Sequence, residues 1–155
     1  MNIRVANIND IEQLIQMRWD FTFEESELIT SQGIDFGTFS LECRTFLENA
    51  INSERWFIWV AEEDSLIVSH IYIELIQKVP RPGRVTYPFA FMTNVYTLKD
   101  FRNKGIGSKL LTTINEWAQN SKYEFIIVWP SNNSIGYYKK NGYIESKEAM
   151  EFYPS

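Results

Sequence analysis

One cysteine, Cys43, and one histidine, His70, stand in a chain of 155 residues. A lone cysteine cannot form an internal disulfide. One Cys and one His also fall short of the ligand set a zinc site needs, so no metal is expected. Cys43 reads as a buried or half-buried thiol without a catalytic role. His70 lies in an apolar, alternating run, with nothing nearby to orient it as a base. No apolar run approaches the ~20 residues of a membrane-spanning helix. The N-terminal MNIRVANINDIEQ has no apolar h-region, so no signal peptide is expected and the reading is cytoplasmic, with no membrane partner. Basic residues are outnumbered, 15 against 20 acidic, for a net charge of −5. That balance argues against nucleic acid as a partner. Gly-Lys-Ser and Gly-Lys-Thr are absent, which excludes a P-loop. Internal repeats and low-complexity tracts are missing too.

What is present is the composition of a globular domain, 45% hydrophobic and 15% aromatic. At this length one domain spanning residues 1–155 is expected, with a real core. Ile3–Val5 reads as a short strand. Asn9 or Asp10 caps a helix with Ile11, Leu14, Ile15 and Trp19 on its apolar face. Glu24–Gly33 reads as an acidic loop. A second helix covers Phe36–Asn52, with Phe39, Cys43, Phe46, Leu47 and Ala50 on one side. Trp56–Ala61 and Leu66–Lys78 read as strands around a Glu62–Ser65 turn. Pro80 to Gly83 breaks the chain, and Val85–Thr97 resumes as a strand, with Pro88 marking an edge or bulge. A helix follows, with Ile106, Leu110, Leu111, Ile114, Trp117 and Ala118 at helical spacing. Phe125–Trp129 is a further strand, a short helix carries Tyr138, and a last strand starts at Tyr143. The order is β-α-α-β-β-β-α-β-α-β, an α/β chain with a mixed sheet.

The join at Asn94–Leu111, NVYTLKDFRNKGIGSKLL, concentrates chemistry. The first turn of a helix leaves backbone N–H groups without partners and carries partial positive charge. Gly105 and Gly107 have no Cβ, so an anion can approach the backbone closely. Arg102 and Lys104 add full charges. A dinucleotide fingerprint fits poorly, because its third glycine position holds Leu110. The pattern R/Q-x-x-G-x-G/A fits Arg102–Gly107 without a gap. Downstream, a strand, an Asn-containing turn, and a helix with Tyr138 four residues before Gly142-Tyr143 follow in order.

These two segments resemble the signatures of the GCN5-related N-acetyltransferase (GNAT) superfamily, and the resemblance runs over roughly residues 3–145. It implies an acetyl-CoA-dependent N-acetyltransferase acting on a primary amine of a small molecule or peptide, by direct attack in a ternary complex. Backbone groups of Val95, Tyr96 and Thr97 would then pair with pantetheine. The N–H groups of Lys104, Gly105, Ile106, Gly107 and Ser108 would hold the pyrophosphate, with Arg102 and Asn103 beside them in the cofactor site, and Asn132 or Asn133 could bond the pantetheine or its neighbours. Tyr138 would be the general acid toward the departing CoA thiolate. Many relatives carry a Glu base on the strand before the glycine helix. Here Met92, Thr93, Asn94 and Tyr96 occupy the comparable positions, and Glu74 is the substitute candidate. The missing carboxylate keeps open a non-catalytic acyl-CoA-binding module of the same fold, and a nucleotide-binding protein stands behind it. Glu24, Glu25, Glu27 and Asp35 could attract a cationic acceptor. Arg81 and Arg84 could receive an acidic acceptor or the CoA 3′-phosphate. Self-association as a homodimer is left open.

Overall fold

A computed structural model describes residues 1–25 and 33–154. Its sheet has five strands in the order β1-β2-β3-β4-β5, with β1 Asn2–Val5, β2 Trp56–Glu63, β3 Leu66–Ile76, β4 Phe89–Thr97 and β5 Ile126–Val128. The first three pairings are antiparallel, and β4 pairs with β5 in parallel. The helices are α1 Ile11–Glu25, α2 Phe36–Ile51, α3 Ile106–Asn120 and α4 Ile135–Lys140.

Side-chain periodicity builds the layers. Leu14 and Ile15 of α1 and Leu47 and Ala50 of α2 pack on Ile58, Val60 and Tyr72 of one sheet face. Leu110, Leu111 and Ile114 of α3, with Tyr138 of α4, pack on Ile71, Ile73 and Met92 of the other. The α3 stripe expected from its 3.6-residue spacing is the buried one.

Element ends differ from expectation where local chemistry intervenes. Asn7, not Asn9 or Asp10, caps the first helical turn; Asp10 answers it across a capping box and pairs with Arg4 at 2.7 Å. Helix α1 runs on to Glu25, through the start of the segment expected to be loop. Asp35 caps α2 by accepting from the Gly37 and Thr38 N–H groups. Strand β4 starts only at Phe89, after Pro88, which has no N–H for a ladder.

The expected final strand from Tyr143 does not form. Residues there find no core face: Ile144 is 89% exposed and Met150 99%. Strand β5 therefore stays at the edge of the sheet. No helix among the described residues is long and apolar enough to cross a membrane.

Leu110 is fully buried at the centre of the α3 face. Leu110→Ala should cost about 3 kcal/mol in urea unfolding, from lost transfer energy plus a cavity. A loss below ~1 kcal/mol would show that α3 is not clamped to the sheet as described.

Candidate functional site

The site begins with an irregularity in β4. Tyr72 pairs with Thr93, yet His70 pairs with Tyr96, so Asn94 and Val95 together oppose Ile71 alone. This is a β-bulge, and Asn94 adopts a left-handed φ of 51°. The extra residue reverses the alternation of side chains. Met92 faces α3, whereas Tyr96 faces α1 and α2. The parallel ladder to β5 ends at Met92 opposite Val128. Past that point β4 and β5 part, and a groove opens between them.

Two side chains hold the bulge. The fully buried His70 ring lies with Nδ1 2.9 Å from the Asn94 carbonyl oxygen. Arg18 Nη1 donates to Asn94 Oδ1 at 3.3 Å. Burial pushes the imidazole down to about 4, so His70 is neutral, with Nδ1–H donating to that carbonyl. Its Nε2 has no partner among the described residues. The single histidine thus orients backbone.

The floor of the groove is the N-terminus of α3. Gly105 precedes the helix at φ 80°, a left-handed value that favours glycine. The first helical hydrogen bond runs from Lys109 N to the Gly105 carbonyl, 3.0 Å. The N–H groups of Ile106, Gly107 and Ser108 therefore have no acceptor in the helix. A Cβ on Gly107 would stand 3.5 Å from the Tyr137 hydroxyl and 3.7 Å from Thr97 Oγ1, in contact with the groove wall. The donor set and the narrow approach fit a pyrophosphate.

Three cavities run in line. The largest, about 830 Å³, is lined by Val95, Tyr96 and Thr97, by the Gly105–Ser108 turn, and by Asn133 and Lys140. The second, about 310 Å³, shares Val95, Ser131 and Tyr137 with it and adds Thr93, Asn94 and Tyr138. The third, about 340 Å³, lies between α1, α2 and the sheet, and meets the second at Arg18, Thr93 and Asn94.

Tyr138 is 6% exposed. Burial pushes its phenol up to about 12, so it stays protonated. It lines the second cavity, whereas the neighbouring Tyr137 donates its hydroxyl to the Gly107 carbonyl at 2.8 Å and ties α4 to α3.

The expected site residues do not all converge. Val95, Tyr96, Thr97, Arg102, Asn103, Gly105, Ile106, Gly107, Ser108 and Asn133 line the first cavity; Lys104 and Asn132 do not. Lys104 instead lies over the Phe101 ring. Arg102 is engaged with the groove wall: its Nε donates to the Thr97 carbonyl and its Nη2 pairs with Glu24 at 2.5 Å. Glu24 also accepts from the Tyr96 hydroxyl at 2.7 Å, so it is committed to the groove wall. Glu74 is held by Arg55 at 2.9 Å and lines none of the three cavities. Arg81 and Arg84 line a separate pocket of about 90 Å³ with Lys78, Lys122 and Glu124, away from the groove. Glu27 lies outside the described residues, and the Glu25 side chain is not described. Cys43 lines the third cavity, where burial pushes its thiol up and away from the thiolate form.

Sequence reasoning missed Arg18, on a helix whose apolar stripe drew the reading, and Asn141. Asn141 Nδ2 donates to Ser108 Oγ at 3.2 Å and to the Tyr137 carbonyl, joining α4 to the start of α3. Its only signal was its place in Asn141-Gly142, which reads as a helix stop.

Comparison with known proteins bears on the family and the fold. The family model for the acetyltransferase (GNAT) domain matches residues 54–145. A crystal structure of a predicted acetyltransferase with acetyl-CoA from Clostridium acetobutylicum is similar at 25% identity, TM-score 0.79, covering 98% of this chain and 95% of that one. A transcriptional regulator from Bacillus halodurans is similar at 18% identity and TM-score 0.76, covering 98% of each chain. An aminoglycoside acetyltransferase from an uncultured soil metagenomic sample, in complex with sisomicin, is similar at 17% identity and TM-score 0.71, covering 99% and 95%. None of the curated proteins matches in sequence. Among the described residues no cluster of three His, Cys, Asp or Glu could hold a metal ion.

His70 supplies a pH test. Its folded value lies below the ordinary 6.5, so the unfolded chain binds the extra proton between about 6.5 and 4. Its contribution is complete above pH 6.5 and is lost as pH falls toward 4, by roughly 3 kcal/mol for a shift of this size. Urea unfolding across that range should show the slope in wild type and a flatter one in His70→Gln. Equal slopes would mean that His70 is not buried as a neutral ring.

Proposed function

The chain belongs to the GNAT acetyltransferase family, and from that premise we propose that residues 1–155 act as one domain moving the acetyl group of acetyl-CoA to a primary amine. The observation that carries the proposal is the open groove between β4 and β5, floored by the unpaired N–H groups of α3 and walled by Tyr138. When bound, acetyl-CoA supplies the activated acetyl thioester. The N–H groups of Ile106, Gly107 and Ser108 hold its pyrophosphate, and Lys140 adds a charge to the rim of the same cavity. Arg102, committed to Glu24 and the Thr97 carbonyl, stiffens the wall. The backbone of Val95–Thr97, which no longer pairs with β5, runs along the pantetheine path.

The amine lone pair attacks the acetyl carbonyl, an N–C bond forms, and the C–S bond breaks. Tyr138 donates its hydroxyl proton to the departing sulfur. A phenol near 12 is a weaker acid than a thiol near 8.5. Complete transfer on its own would therefore run uphill by about 5 kcal/mol. The transfer is balanced because the amine loses a proton in the same reaction, and that proton restores the phenol. An acceptor that arrives as an ammonium first sheds its other proton to solvent, through a water at the Thr93–Asn94 backbone, because Glu74 is held by Arg55. Holding amine and thioester in adjoining cavities supplies much of the acceleration.

The rival reading is a non-catalytic acyl-CoA-binding module of the same fold. It is favoured by one observation: β4 offers no carboxylate between Met92 and Thr97.

Tyr138→Phe should lower thiol release across an amine panel by about 100-fold while acetyl-CoA affinity holds. Unchanged turnover would return Tyr138 to packing, and binding without thiol release in wild type would favour the module. Gly105→Ala forces a side chain into left-handed backbone at a cost of about 1–2 kcal/mol. It should weaken acetyl-CoA binding by at least tenfold in calorimetry, and full retention of affinity would separate the turn from the ligand.

A further inference from the structure

The third cavity has walls of one character and a junction of another. Phe39, Phe46, Leu47, Trp56 and Tyr72 make its apolar lining. Arg18 stands where this cavity meets the one holding Tyr138. Its guanidinium rests 5.6 Å from the Phe21 ring centre and spends one N–H on Asn94 Oδ1, 3.3 Å. No carboxylate among the described residues comes within 4.0 Å of it. Glu42, the acidic residue of the lining, is exposed. A guanidinium whose other donors meet no acceptor among the described residues, at the mouth of an apolar pocket, fits a carboxylate, which it can grip with two parallel hydrogen bonds.

We propose that this cavity binds a free α-amino acid with a large apolar or aromatic side chain, and that Arg18 grips its carboxylate. The proposal rests on the acetyltransferase reading and names its acceptor. Its geometry is restrictive. In an α-amino acid the amine and carboxylate sit on one carbon, so a carboxylate on Arg18 puts the amine at the junction toward Tyr138. The side chain then points into the apolar pocket.

The same arrangement bears on the missing base. Neutralising the carboxylate brings the amine toward the ~8 of a peptide α-amine, against ~10.4 for a lysine-type amine. A larger neutral fraction then needs no carboxylate to remove its proton. A polycationic acceptor, by contrast, would meet Arg18 as a like charge.

The experiment compares phenylalanine, its methyl ester and sisomicin as acceptors, by thiol release with acetyl-CoA. The free acid should exceed the ester in kcat/KM by about tenfold or more, the range of a charge-assisted pair. Arg18→Gln should bring that ratio close to one, and Arg18→Lys should restore part of it, with urea unfolding measured in parallel to show that each variant is folded. Equal use of acid and ester, or preference for sisomicin, would overturn the proposal. If wild type binds acetyl-CoA but acetylates neither these three nor any member of the amine panel, the transferase reading fails separately. Calorimetry of N-acetylphenylalanine against its methyl ester, with CoA present, then decides the pocket. Tighter binding of the acid that Arg18→Gln abolishes would support it, and equal binding would overturn it.

Discussion

The parting of β4 from β5 is the constraint on which the rest of the structure depends. Parallel strands stay joined as long as their ladders stay in register, and here the ladder stops at Met92 opposite Val128. Two residues later Asn94 takes a left-handed turn and the bulge rotates β4 by one position. A bulge costs ladder bonds, so it persists only where other groups hold it. His70 does so from a buried position on β3, and Arg18 from α1. A neutral imidazole spent on one backbone carbonyl is a poor use of a catalytic group and a good use of a rigid donor.

From that split the other parts take their places. The α3 start closes the groove at one end, and Tyr137 and Asn141 hold α4 against it. With Tyr137 anchored, the next side chain along α4, Tyr138, lines the second cavity. On the far side the bulge turns Tyr96 toward α1, where it stacks on Phe21 at 4.7 Å and donates to Glu24. Glu24 in turn holds Arg102, so the most conspicuous charge of the glycine-rich hexapeptide lines the cavity from an ion pair. The helix end and Lys140 add positive character to the groove.

Helical spacing made α3 legible, because a 3.6-residue stripe of Ile106, Leu110, Ile114 and Ala118 has one physical interpretation. Gly105 was legible as a place where the backbone lies open to an anion, whereas its left-handed φ of 80° came only with the structure. The bulge was not. Asn94 is no glycine, and a period of two carried through Met92, Asn94 and Tyr96 puts all three on one face. The last strand was over-read because apolar residues after Tyr143 suggest pairing, whereas a strand also needs a partner and a core. Glu24 was read as loop because acidic runs usually are, and only the fold brings it to Tyr96, 72 positions along the chain. Arg18 had no local signal at all, since its meaning comes from a cavity shared by α1, α2 and β4.

Equilibrium ligand binding to the wild-type chain tests the central claim most directly. Thermal and chemical unfolding with acetyl-CoA, CoA, ATP or NAD compares ligands that share a pyrophosphate but differ in the arm that would lie between β4 and β5. The account predicts stabilisation by acetyl-CoA and CoA, reaching about 2.7 kcal/mol at a hundred times Kd, with little from ATP or NAD. Equal stabilisation by all four would reduce the groove to a generic phosphate site. No stabilisation by either CoA species would contradict the account.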